Sequence, residues 1–296
     1  MRRSVLVTAG AVAAAAAIGG GVIAVAGLPR ELPIDPAELG RSMSSAPVPA
    51  DRYYSRGILP LEVDEELGAL EVYTVQPDGT LHPPPQGLRM DIWSLMTRIM
   101  TPAGAGDALR TYKVGDQPDS DRTAWVVAHG QREDEWILGV NLATSEDPTE
   151  LAATLIHEYA HLIAFREGQV VPAAGSCTTV LLPEGCALPG GYLDAFHSAF
   201  WVGYGDAAPG PANADPEAAA RLRAARPGAF VSEYAAMNLV EDFAESFTAY
   251  LHVGGDVPQS AFEGKLAFFD HYEETAQIRE RVRAELEGTL GTLRID

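Results

Sequence analysis

Lysine is nearly missing from this chain: Lys113 and Lys265 stand against 19 arginines in 296 residues. Basic charge as a whole is short, with 21 Lys and Arg against 41 Asp and Glu and a formal net charge of -20. Binding to nucleic acid or an anionic membrane surface needs a basic footprint, and none stands out beyond Met1–Arg3, so both classes are excluded. Cysteine is scarce too. Cys177 and Cys186 are the only two, at a spacing unlike the short hooks of structural zinc sites. Long apolar runs are absent after the first 29 residues. What is plentiful is ordinary core material, 47% hydrophobic residues, which argues against disorder and for a sizeable packed core. The arginine bias suggests a GC-rich bacterial genome.

The uncharged run from Ser4 to Pro29 follows Arg2 and Arg3. Residues 1–27 therefore read as a signal peptide, with Ala24-Val25-Ala26 as a cleavage pattern, or as a retained membrane anchor. No cysteine follows, which excludes a lipoprotein anchor. Either way the body is exported: secreted, or held at the extracellular face of a bacterial cell membrane. In that setting Cys177 and Cys186 are expected to form a disulfide, with two free thiols as the alternative. Residues 28–56, rich in Pro, Ser and Ala, read as a linker or extended arm. Residues 57–296 are expected to form one domain.

Within that domain, Leu70–Val75 alternates as a strand and Pro77-Asp78-Gly79 as a turn. Asp91 is placed to cap a short helix through Met100. Ala124–Ala128 and Trp136–Val140 read as a hairpin. The best-signed helix opens at Asp147-Pro148-Thr149-Glu150, an N-cap acid, a first-turn proline and a capping-box glutamate, and runs through Leu151–Phe165 toward Gly168. Residues 169–227, with the cysteines and an aromatic patch from Tyr192 to Tyr204, read as an excursion rather than a second domain. A helix is expected over about Ala235–Val253, ending at Gly254-Gly255, and a charged amphipathic helix over Glu273–Leu290.

The capped helix contains His157-Glu158-Tyr159-Ala160-His161. One turn separates the imidazoles, so both project from one face within reach of a single Zn²⁺. Glu158 points near the open metal position, where it can take a proton from an activated water. Leu151, Leu155, Ile156, Leu162 and Ile163 flank the motif. Two buried histidines beside a buried glutamate are costly without a partner such as a metal. A catalytic site needs a third protein ligand, and no histidine follows at the metzincin spacing. The strongest candidate is Glu241, with Glu245 one turn on holding a ligand histidine by its other nitrogen. The reverse assignment of the two glutamates stays open, as does an acidic helix face without a metal role. His129, His197, His252 and His271 lack a motif and read as ordinary residues.

His157-Glu-x-x-His161 followed by Glu241-x-Phe-Ala-Glu245 resembles the gluzincin zinc metallopeptidases, closest to the catalytic domain of anthrax lethal factor and related bacterial peptidases. The resemblance implies an α+β, zincin-like fold: a small sheet, an active-site helix carrying the HExxH motif, and a second helix carrying the glutamate ligand. It also implies that Tyr234, seven residues before Glu241, assists catalysis; a packed helix-start tyrosine is the plainer alternative. The stretch between the motifs is longer than in the toxin domain, so the pocket walls do not carry over.

The expected mechanism has His157, His161 and Glu241 holding Zn²⁺, and Glu158 acting as general base and then acid. The substrate is a peptide or protein, aligned along the edge of Trp136–Val140. A cell-wall hydrolase using the same site on stem peptides is a second enzymatic reading. A catalytically inactive metallopeptidase-like binding domain of the cell envelope is the alternative from another class; the intact Glu158 disfavours it.

Overall fold

A computed structural model describes residues 62–290 apart from 130–131, 174–176 and 253–261. The signal or anchor segment 1–27 and the linker 28–56 lie outside the described residues, as does the Gly254-Gly255 helix end. Among the described residues no helix is long and apolar enough to cross a membrane. All of them belong to one unit, of mixed α+β class.

The main sheet is built from β1 (Glu62–Asp64), β2 (Gly68–Val75), β3 (Leu81–His82), β4 (Leu109–Gly115), β5 (Ala124–His129) and β6 (Arg132–Asn141). Its order is β1-β2-β4-β6-β5, with β3 on β2. Only β4 and β6 run parallel; β5 and β6 form the expected antiparallel hairpin, Val126 opposite Leu138. Period-two alternation sorts the side chains. Trp136, Leu138 and Val140 are buried on one face with Tyr112 and Val114 of β4. On the other face Trp125, Leu70 and Leu67 pack with Val72, Val127 and Ile137.

One expectation fails here. Trp136–Val140 is not an edge, because β4 pairs with it on one side and β5 on the other. The edge is β5. Strand β4 escaped the sequence reading because Arg110 and Lys113 interrupt its apolar residues. Their charges are met across the sheet, Arg110 by Glu135 at 3.1 Å and Lys113 by Glu62 at 2.7 Å.

Gly139 marks a close approach within this sheet. A Cβ there would lie 2.3 Å from the Trp125 ring. Gly139→Ala is therefore expected to destabilise the fold by about 1–3 kcal/mol through overpacking. A urea midpoint equal to the wild type's would show that Trp125 can move aside.

Helix α1 spans Leu88–Met100 and α2 spans Pro102–Ala108. Gly87, not Asp91, is the N-cap of α1; Asp91 sits in the first turn, where it favours the helix dipole. Pro102 opens α2 rather than simply ending α1. Helix α3, Pro148–Phe165, begins as its sequence foretells, with the Asp147 carboxylate accepting from the amides of Thr149 and Glu150. Every residue from Leu151 to Phe165 is buried. This helix touches β5, α1 and the second motif helix, α6 (Leu239–His252).

The excursion contains more structure than its composition suggests. Strands β7 (Val170–Val171), β8 (Leu181–Leu182) and β9 (Gly185–Ala187) form a small sheet in the order β7-β9-β8. The Cys177–Cys186 disulfide is present and ties it. Helix α4 (Tyr192–Phe196) runs into a π-helical turn, His197–Trp201, and α5 spans Pro216–Ala225. Tyr192, Phe196 and Trp201 of the aromatic patch are core: Phe196 stacks edge-on against Phe243 of α6 at 5.6 Å. Helices α7 (Glu263–Asp270) and α8 (Glu273–Glu285) close the chain. Helix α8 stops short of Leu290, and Gly288 adopts a positive φ of 85° just beyond it.

Candidate metal centre

The second motif does not begin as one continuous helix at Ala235. Tyr234–Ala236 is a single 3₁₀ turn, and α6 starts afresh at Leu239. Asn238 causes the restart, its side-chain oxygen accepting from the Glu241 amide at 2.9 Å. Asn238-Leu-Val-Glu241 has the spacing of a capping box, a signal readable in the sequence but missed there. The cap fixes where Glu241 points.

Helices α3 and α6 pack so that three donors converge. His157 Nε2 lies 3.0 Å from His161 Nε2 and 3.1 Å from Glu241 Oε2; His161 Nε2 is 3.5 Å from the same oxygen. A tetrahedral ion with bonds of about 2.0–2.1 Å would space its donors about 3.3–3.4 Å apart. All three residues are at most 2% exposed, and this buried His-His-Glu group can hold a metal ion.

The two glutamates of α6 take different places. Glu245 Oε1 accepts from the other nitrogen of His157, Nδ1, at 2.8 Å. Its second oxygen accepts from Ser232 Oγ at 2.6 Å, and Ser232 Oγ in turn accepts from the Ala235 amide at 3.0 Å. Ser232 had no signal in the sequence, since it precedes the motif and reaches His157 only through Glu245. With a proton on Nδ1, neutral His157 presents a lone pair at Nε2. Three lone-pair atoms then face one another, an arrangement that calls for a cation.

The metal-free electrostatics carry the same message. Burial opposes a charge on His157, but its hydrogen bonds to Glu241 and Glu245 outweigh this and raise its pKa well above the usual value. Burial acts to raise Glu241 as well, yet the neighbouring His161 and His157 hold its carboxyl far below the carboxylate range. The metal-free protein thus puts a proton where a metal would put positive charge. A raised histidine pKa contributes stability in full below the unfolded value of about 6.5 and loses it as pH rises through the folded value. The melting temperature of chelator-treated protein is accordingly expected to fall as pH rises above about 6.5. A rise over that range would contradict a protonated His157.

Glu158 is 1% exposed, and neither carboxylate oxygen has a hydrogen-bond partner. Burial raises its pKa, which the nearby histidines partly counter. It lies by the Val126 backbone of the edge strand β5 without a hydrogen bond of normal geometry. The half-buried Tyr234 has its ring 6.0 Å from that of His157. Its hydroxyl lies beside Glu241, again without a well-formed hydrogen bond. Burial and then the carboxylates of Glu241 and Glu158 push its pKa far up, so it keeps its proton and can donate. The sequence-derived residues His157, Glu158, His161, Tyr234, Glu241 and Glu245 are therefore gathered in one place.

Two of the remaining histidines serve locally: His252 and His271 each bond a carbonyl one turn back, Thr248 O at 2.9 Å and Ala267 O at 2.7 Å. No protein-family model, curated protein or solved structure matches the chain.

Proposed function

We propose that the protein is an exported zinc-dependent metallopeptidase. One observation carries the reading: three buried donors at tetrahedral spacing stand beside a buried glutamate whose two oxygens have no partner. The donor chemistry, two imidazoles and one carboxylate, suits zinc and leaves a fourth position open. A Zn²⁺ ion bound there supplies Lewis acidity toward a peptide carbonyl and makes water a nucleophile near neutral pH.

The chain's own residues supply the rest. His157 and His161 offer neutral Nε2 atoms, and Glu245 fixes the ring and tautomer of His157 by accepting its Nδ1–H. Glu158 takes the proton from the attacking water on one carboxylate oxygen and delivers it to the leaving amine nitrogen. Tyr234 donates a hydrogen bond to the oxyanion developing on the substrate carbonyl. The outer edge of β5, unpaired among the described residues and passing Glu158, offers backbone hydrogen bonds to an extended substrate chain. The disulfide suits an oxidising compartment, which supports export.

Metal analysis of protein purified after zinc-replete expression is the first test, with a stoichiometry near one zinc per chain expected. Digestion of a peptide library by the loaded protein is the second. Protein with less than about 0.2 zinc per chain, or zinc-loaded protein that cleaves no peptide in the library, would sink the reading.

A further inference from the structure

His157 is held on both sides, but His161 is not. His161 Nδ1 is buried and has no hydrogen-bond partner. A histidine that binds a metal through Nε2 carries its proton on Nδ1, and that N–H is ordinarily given to a carboxylate, a carbonyl or a water. A second buried polar atom lacks a partner as well: Oε2 of Glu184. The two groups are complementary, one a donor in waiting and the other an acceptor.

The fold explains why Glu184 is there. It occupies the turn between β8 and β9, in the sheet inserted between the two metal motifs. That sheet follows one motif helix in the chain and shares a cleft with the start of the other. Strand β9 pairs with β7, which leaves the end of α3 after a short turn. Strand β8 walls a cleft of about 610 Å³ whose lining includes Leu239, the first residue of α6. The hairpin is pinned in place. Gly185 has φ 143°, and a Cβ there would lie 2.2 Å from the Val171 carbonyl oxygen, so the strands approach as closely as glycine allows. Cys186, two residues from Glu184, is bonded to Cys177. The carboxylate so placed has one oxygen, Oε2, buried and lies within electrostatic reach of His161.

Resting on the reading of His157, His161 and Glu241 as a metal centre, we propose that Glu184 is the positioning residue for His161. In the metal-loaded protein its carboxylate accepts the His161 Nδ1–H, directly or through one water, as Glu245 does for His157. The insertion between the motifs then completes the centre's outer layer of hydrogen bonds.

The test is zinc affinity of the full chain, measured by competition with a chromophoric chelator, together with NMR detection of the His161 Nδ1–H. Glu184→Leu, which leaves no acceptor, is expected to weaken zinc binding about 10–100-fold and to remove the slow exchange of that N–H. Glu184→Asp should restore part of both, since it keeps the carboxylate. The metal-free melting temperature should not fall in Glu184→Leu, because Glu184 Oε2 bonds nothing without metal; a purely structural role would lower it. Wild-type affinity in Glu184→Leu, with the N–H still protected, overturns this assignment alone. If the wild type binds no zinc, the metal centre itself falls and the assignment with it.

Discussion

Glu158→Gln is expected to keep zinc at the wild-type stoichiometry and to lower kcat for peptide cleavage by about 10²–10⁴-fold, the usual contribution of a positioned general base and acid. The argument rests on what Glu158 does not do. Its carboxylate is buried on α3, between the two histidines in sequence, yet neither oxygen accepts a hydrogen bond. A carboxylate kept in that state costs stability, so a purely structural role is a poor explanation for it. Glutamine preserves the shape and removes only the ability to carry the proton. Metal content should be unaffected, because the three donors belong to His157, His161 and Glu241. Stability of the metal-free variant should be unchanged or higher, since an unpaired buried acid has been replaced by a neutral amide. Cleavage that persists at the wild-type rate would remove Glu158 from its role. Loss of zinc along with activity would instead make it part of what holds the metal.

The second large effect concerns the residue next to Glu241. Asp242 is fully buried and accepts from Lys265 Nζ at 2.6 Å, Trp201 Nε1 at 2.8 Å and Ser246 Oγ at 3.3 Å. Lys265, one of only two lysines in the chain, is 2% exposed, and its ammonium also lies 4.1 Å from the centre of the Phe230 ring. Burial pushes the Asp242 pKa up and the Lys265 pKa down, so each relies on the other to stay charged. Asp242→Ala strands the ammonium in the core and is expected to cost about 3–5 kcal/mol. Against a typical total of about 5–15 kcal/mol, that loss is a large part of the protein's stability. The double variant Asp242→Leu with Lys265→Met removes both charges and should cost much less. Urea unfolding of the two variants is the check. Equal losses in both would mean that packing, not the unpaired charge, sets the cost. Since α6 carries Asp242 and Glu241 side by side, the single variant should also loosen zinc binding.

Local chemistry was legible where the signals are local. Asp147 caps α3 as its sequence indicates, because a capping carboxylate needs only the amides two and three residues on. The hairpin of β5 and β6 was legible from alternation. Strand β4 was not, since Arg110 and Lys113 find partners on residues far away in sequence, and no window along the chain contains them. The mistaken edge at Trp136–Val140 followed directly from missing β4. The excursion's elements were hidden for a similar reason. Strands of two or three residues have no period to read, and the π-helical turn at His197–Trp201 is tied to α6 by the Trp201–Asp242 hydrogen bond, a partner far away in sequence.

By itself the sequence determined that His157 and His161 share one helix face with Glu158 beside them, because helical pitch is a local property. It also put Glu241 and Glu245 one turn apart. Only the tertiary structure decided which glutamate meets the Nε2 atoms and which takes Nδ1 of His157. That choice depends on the rotation of α6 about its axis, set by the Asn238 cap at one end and the Asp242–Lys265 pair within the core. It likewise brought the Glu184 carboxylate within electrostatic reach of His161. No spacing rule connects those two residues; a disulfide-tied hairpin and the packing of two helices do.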